Sequence, residues 1–363
     1  MTTTLEPLFR PFTIKNLTLP NRLVMAPMTR SFCPGGVPGE DVADYYRKRV
    51  EGGIGLILTE GVVIDHPASS GYPSCPNLHD AAAQRGWREV IRRVHQAGGR
   101  IMPQIWHVGL ARQPGMEPDP AVPGCGPSAV ALEAGAHPGV ELSVPEIHRI
   151  VAAYAEAARN AKECGFDGVE IHGAHGYLID QFFWEQTNRR QDDYGGSFDK
   201  RLRFGVEVIE AVRRAVGQDF VVVFRFSQWK PTDFAAKLAP TPELLQRFLT
   251  PLSEAGVDLF HASSRRYWEG EFPGSTENIA AWTRRLTGKP CITVGSIGLA
   301  DVNWSGSAST GVEELVRRFE NGEFDLAAVG RILLSDPQWA NKMRRGALDE
   351  VLPYTKEALK RLV

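Results

Sequence analysis

The stretch Gly168-Val169-Glu170-Ile171-His172-Gly173-Ala174-His175-Gly176-Tyr177 runs from a short apolar segment straight into two imidazoles and a phenol. A strand ending in three polar rings points to a functional site at its carboxyl end. His172 and His175, three residues apart, are expected on the first turn of a helix, facing one side so that both reach a single ligand oxygen. Tyr177 would offer a proton from another angle. Spacing alone suits a metal pair or a structural pair equally well, so the flanking chain has to decide.

Outward from this stretch, β-rich runs recur at 23–28, 56–60, 101–106, 168–172, 220–226, 259–262, 291–295 and 326–330. Between them, apolar residues take helical spacing at 42–50, 82–96, 145–164, 200–216, 242–255 and 312–321. Thr241-Pro242-Glu243 places a cap, a first-turn proline and an acid in order, and Ala97-Gly98-Gly99 and Ala255-Gly256 supply glycine exits. Alternating strand and helix implies a parallel sheet, and eight units favour an α/β fold of one closed (β/α)8 TIM barrel spanning 1–363 as a single domain. The six-stranded dinucleotide fold is the alternative. It lacks its glycine fingerprint, since Ala26-Pro27-Met28-Thr29-Arg30 follows the first run. Two excursions, 107–142 after strand three and 263–279 after strand six, leave the strand ends where barrel enzymes keep their sites, and are candidate lids and substrate walls.

With 43% apolar and 23% charged residues the 363-residue chain can bury a large core. A formal net charge of -2, with basic residues spread along the chain, predicts no nucleic-acid or membrane partner and points to small molecules. The first fifteen residues show no signal-peptide pattern and no apolar run would span a bilayer, so a cytoplasmic protein is expected. Its five cysteines are odd in number and never paired as C-x-x-C, which predicts reduced thiols. Nothing decides between a monomer and a homo-oligomer.

In a barrel the strand ends converge. Strand one would deliver Pro27, Met28 and Thr29, strand two Glu60 and Gly61, strand three Gln104 and Trp106, and strand five Arg225. Gly295-Ser296 and Gly330-Arg331 end the last two strands, where glycine permits close backbone approach and Arg331 adds fixed charge, as a phosphate requires. Gln104 on an apolar strand needs donor and acceptor partners, and Arg225 in an apolar run needs an anion or strong acceptor. Together with the Thr29 hydroxyl, these groups describe a site for a phosphorylated polar ring such as flavin mononucleotide (FMN). Arg225 would sit near flavin N1 and the C2 carbonyl, and Thr29 near the C4 carbonyl and N5. Glu60 suits a loop cap as well as a cofactor contact.

These positions and their flanks resemble the Old Yellow Enzyme family over nearly the whole chain. The resemblance is carried by Ala26-Pro27-Met28-Thr29-Arg30, Gln104-Ile105-Trp106-His107-Val108-Gly109, His172-Gly173-Ala174-His175-Gly176-Tyr177-Leu178, Asp193-Tyr194-Gly195-Gly196-Ser197 and Ala328-Val329-Gly330-Arg331. It implies an FMN-dependent ene-reductase. NAD(P)H would reduce tightly bound, non-covalent FMN and be replaced by an alkene activated by a carbonyl or nitro group. His172 and His175 would bind the activating oxygen, hydride would pass from flavin N5 to the β-carbon, and Tyr177 would protonate the α-carbon. Trp106 would then orient the substrate. The resemblance further implies that Thr29 stands where one branch carries a cysteine, so Cys33 does not inherit that role. A metal-dependent barrel hydrolase using His172, His175, His107 and His261 is the competing chemistry. Pro27-Met28-Thr29 would offer it no ligand from strand one, and Gln104 and Arg225 would be unexplained. Among the tryptophans, six besides Trp106 and Trp268 are expected in packing roles. The loop Arg265-Arg266-Tyr267-Trp268 and the segment 298–311 fit a substrate wall, a nicotinamide-phosphate contact or plain loop packing.

Overall fold

The computed structural model describes residues 5–299 and 312–363. Eight strands close into one parallel barrel: β1 (Leu23–Met25), β2 (Leu56–Val63), β3 (Arg100–Trp106), β4 (Gly168–Gly173), β5 (Val221–Ser227), β6 (Leu259–Ser263), β7 (Cys291–Val294) and β8 (Leu326–Val329). Each pairs with its neighbours in sequence, and β8 returns to β1. Around them lie α1 (Glu40–Glu51), α2 (Ala81–Gln96), α3 (Val144–Cys164), α4 (Phe198–Val216), α5 (Pro242–Glu254), α6 (Ile279–Thr287) and α7 (Val312–Glu320). The TIM barrel expected from the eightfold alternation is therefore the fold.

Local chemistry sets the boundaries. β1 stops at Met25 rather than 28, because Pro27 has no N–H to continue the ladder. β2 runs three residues past its expected end, with a register shift between Leu58 and Gly61. There the Glu60 N–H turns to the Tyr46 hydroxyl at 3.0 Å instead of a neighbouring strand. Ser143 and Glu146 form a reciprocal cap on α3, and Thr241 caps α5 as its sequence suggests. The nine-residue α6 was not among the expected helices, since its contiguous Ile279-Ala280-Ala281-Trp282 hides the helical spacing. The short helix Leu178–Phe183 after β4 was not expected either. No helix among the described residues is long and apolar enough to cross a membrane, and all five cysteines are buried free thiols.

Strand alternation divides the core. Val24, Leu56, Leu58, Met102, Val221, Val223, Leu259, Ile292 and Leu326 fill the barrel interior, while their sequence neighbours pack outward against the helices. An antiparallel hairpin, Phe12–Ile14 with Leu17–Leu19, adds Phe12 and Leu19 to this interior cluster and stops the barrel's amino-terminal end. The apolar filling leaves only the opposite mouth available for polar chemistry.

The excursion after β3 hangs on Arg112. Its guanidinium is buried and donates to the carbonyls of Val122 at 2.9 Å, Glu117 and Met116 at 2.8 Å each, and also to those of Ser70 and Asp119. Five carbonyls from two loops thus share one cation. Replacing Arg112 with Met should strand these acceptors and lower stability by ~3 kcal/mol or more. Urea unfolding, with limited proteolysis between residues 107 and 142, checks this.

Glu60 is the loop cap foreseen as one of its two roles. Its Oε2 accepts the N–H groups of Arg30 at 2.8 Å and Ser31 at 3.0 Å, and burial pushes its carboxyl up to about 7 against the opposing pull of these bonds. A carboxyl raised in the folded state costs stability as pH climbs from its unfolded value near 4.5 through 7. Glu60→Gln keeps an acceptor without the charge. It should flatten the pH profile of stability and gain ~3 kcal/mol over the wild type between about pH 5 and about pH 8, read from denaturant midpoints.

Candidate active site

Four neighbouring strands aim polar groups into the mouth in two layers. Register sets Gln104 opposite Glu170, His172 opposite Arg225, and Arg225 opposite His261. In the lower layer Glu170 has no solvent access: Oε1 accepts from Gln104 Nε2 at 2.7 Å, and Oε2 lies 2.6 Å from His261 Nδ1. Burial lowers the basicity of Arg225, and the Glu170 carboxylate works against that loss. Arg225 Nε and His261 Nε2 are buried with no partner among the described residues.

One step toward the mouth stand Trp106, His172, Ser227 and Ser263. Trp106 stacks between Tyr72 (5.8 Å, 18°) and His172 (6.0 Å, 16°), and the edge of Tyr177 meets it at 4.8 Å. Gly61 makes room for this indole, since a Cβ there would come within 2.3 Å of it. The Tyr177 hydroxyl lies 3.1 Å from that of Tyr72, which reaches solvent. Burial, then Tyr72, holds the Tyr177 phenol well above its ordinary pKa, so it keeps its proton. Burial, then Arg225, holds both His172 and His175 well below theirs, so both rings are neutral.

His172, His175 and Tyr177 come together as expected, although not on a helical turn. His172 is inward on β4, His175 follows in the left-handed region (φ 60°), and the helix begins only at Leu178 after Tyr177. The two imidazoles sit 5.3 Å apart and 87° to each other. A fully buried ion pair pins this loop: Lys230 Nζ is 2.7 Å from Asp180 Oδ1, and Asp180 Oδ2 accepts the Gly176 N–H at 2.7 Å.

His175 borders two cavities. One, about 350 Å³, is lined by Arg225, Trp229, Arg265, Arg266, Gly295, Ser296 and Arg331. There Gly295 (φ 149°) has no room for a side chain against Ser264, and Ser296 donates to the Arg265 carbonyl at 3.0 Å. Of the expected phosphate residues of strands seven and eight, Gly295, Ser296 and Arg331 thus meet Arg225 in one space, while Gly330 is not among those that line it. Thr29 is exposed at the end of β1, Pro27 and Met28 are half-buried there, and Met28 lies beside Gly330. The other cavity, about 240 Å³, is lined by Tyr72, Leu110, Gln113, Met116, Tyr177 and Trp184. Both excursions therefore form walls. A larger groove of about 580 Å³ lies outside the barrel between α4 and α5, away from these groups.

Sequence reasoning missed Tyr72, Glu170, Ser227 and Ser263. It also assigned packing roles to Trp184 and Trp229, which here line the cavities. Trp229 lies against His175 at 4.8 Å, while Trp87 and Trp339 are core as expected. Of the segment 298–311, residues 300–311, with Trp304, lie outside the described residues.

The four histidines of the metal alternative do not converge. His261 is bound to Glu170 inside the barrel, and His107 lies 2.8 Å from His66. His66, His107 and Cys125 do form a tight group. The Gly109 N–H, however, donates to His107 Nδ1 at 3.0 Å, which places that ring's proton on Nε2, the atom facing His66. A ligating histidine needs the reverse arrangement, with its distal nitrogen donating.

Comparison with known proteins agrees with this geometry. The family model for the NADH:flavin oxidoreductase / NADH oxidase family matches residues 7–350. The chain is 35% identical to 12-oxophytodienoate reductase 7 of Oryza sativa subsp. japonica over 94% of its own length and 88% of that protein's. It is also 35% identical to the NADH oxidase of Thermoanaerobacter brockii over 95% of its length, although it spans about half (52%) of that relative. The structure of morphinone reductase in complex with tetrahydroNAD superposes with a TM-score of 0.82 at 30% identity, covering 97% of this chain and 93% of that one. FMN is the group this family implies, and the unpartnered, buried Arg225 and His261 nitrogens below a cavity that also holds Arg331 fit such a polar, phosphorylated ring. On sequence, fold and donor set alike, the chain belongs to the NADH:flavin oxidoreductase / NADH oxidase family and, within it, to the FMN-dependent Old Yellow Enzymes.

Proposed function

We propose that this protein is a single-domain ene-reductase, which uses NAD(P)H to reduce the activated C=C bond of α,β-unsaturated carbonyl or nitro compounds. The observation that carries the reading is the juxtaposition of two neutral imidazoles and one protonated phenol at the barrel mouth, with His175 and Tyr177 lining the smaller cavity and His172 packed against both. Bound FMN supplies the hydride, taken from the reduced nicotinamide. Arg225 and Gln104 would hold the ring, and Gly295, Ser296, Gly330 and Arg331 the phosphate, with Pro27, Met28 and Thr29 along its edge. Gly61 would lie beside the cofactor, and Trp106, packed on that glycine, would set the substrate plane.

His172 and His175 would donate to the substrate's oxygen and stabilise charge building there as the double bond is reduced. Tyr177 would give its proton to the α-carbon, and the solvent-exposed Tyr72, in hydrogen-bond reach of it, offers a path for replacing that proton. Neutral donors suit an oxygen that is itself neutral until the reaction begins.

The purified protein should show a flavin spectrum that bleaches with anaerobic NADPH and returns when 2-cyclohexenone is added. Tyr177→Phe should slow the return ~10²- to 10⁴-fold and leave the bleaching nearly unchanged. Stopped-flow absorbance separates the two half-reactions. Equal losses in both would remove the acid role from Tyr177.

A further inference from the structure

His172 and His175 are neutral, so each ring carries one N–H, and a ring can donate toward the cavity only if its other nitrogen is the acceptor. For His172 the backbone decides. The Ala174 N–H donates to Nδ1 at 3.3 Å, which leaves the proton on Nε2. No such backbone donor faces the His175 ring. Its Nε2 lies 2.8 Å from Ser263 Oγ, and its Nδ1 has no partner among the described residues.

Ser263 is buried at the end of β6, where it also borders the 350 Å³ cavity, and His175 Nε2 is the only partner of its hydroxyl among the described residues. If the imidazole donated to Ser263, the hydroxyl proton would have no acceptor among the described residues, whereas donation to Nε2 satisfies it within the fold. The hydroxyl therefore donates and Nε2 accepts. The surroundings hold the ring in place for this bond. Ser227, opposite Ser263 in the strand register, accepts the His175 backbone N–H at 3.0 Å and donates to the Trp229 carbonyl at 2.8 Å. The Trp229 indole packs on the His175 ring and donates to the Ser263 carbonyl at 3.1 Å.

We infer that Ser263 is a positioning residue, whose hydroxyl fixes His175 in the Nδ1–H tautomer so that the histidine pair presents two N–H donors to the substrate oxygen. His172 would donate from Nε2 and His175 from Nδ1, each set by a different partner. With the opposite tautomer, His175 would turn a lone pair toward an electron-rich oxygen. The value of this to catalysis rests on the ene-reductase reading, but the tautomer itself does not.

The test is ¹⁵N–¹H correlation NMR of the flavin-loaded protein labelled at histidine nitrogens, with His175 identified by its absence in His175→Gln. Nδ1–H is expected in the wild type, Nε2–H or an exchanging mixture in Ser263→Ala, and recovery of Nδ1–H in Ser263→Thr, which restores the hydroxyl. An Nε2–H tautomer in the wild type, or one unchanged in Ser263→Ala, would overturn the inference. The kinetic counterpart is a ~10-fold loss in kcat/KM for 2-cyclohexenone in Ser263→Ala, restored in Ser263→Thr. The expected tautomers in a protein that reduces no alkene would count against the proposed function alone.

Discussion

Glu170 is a carboxylate shut away from solvent, and the mouth of the barrel is arranged around that fact. A buried charge survives only when its lone pairs are taken up by donors and a counter-charge lies near. Gln104 and His261 supply the donors, and Arg225 the positive charge. Each comes from a different strand of four that follow one another round the barrel, so the cluster exists only when the register is correct. Two residues further along the same strands stand Trp106, His172, Ser227 and Ser263, since inward positions repeat every second residue. The reactive wall is thus the next layer on a polar foundation. Any slip of one strand would bring down both.

This layering also limits what each side chain can do. With its amide nitrogen committed to Glu170, Gln104 has its oxygen to offer to a ring above it. His261 has spent its Nδ1 in the same way. Burial, which would be costly for charged imidazoles, instead keeps His172 and His175 neutral and makes the position of a single proton matter.

The eight strands were readable because parallel barrel strands are buried on both faces and stand out as apolar runs between amphipathic helices. Site residues were readable where a polar type interrupts such a run, as Gln104, His172 and Arg225 do. Glu170 interrupts one equally, yet its segment reads as apolar overall and the three rings that follow it draw the functional reading to themselves. Ser227 and Ser263 are too common in type to stand out, and their meaning comes from strand register, which no single strand reveals. Tyr72 lies in the loop after β2, and its approach to Tyr177 depends on that loop folding over Trp106. The expectation of a helical turn at His175 failed for a related reason. Two glycines flank Ala174 and His175 and permit a left-handed loop that side-chain spacing alone does not distinguish from a helix.

The wall of the smaller cavity is organised in another way, by a cation that touches only main-chain oxygens. Arg112 recognises the path of the loops and is indifferent to the side chains they carry. Ser70, Met116, Glu117, Asp119 and Val122 could each be exchanged for another residue without removing the carbonyl that Arg112 holds. Such a scaffold separates the shape of the wall from its chemistry. Over evolutionary time the lining of the pocket can drift toward new substrates while the loop that bears it stays in place.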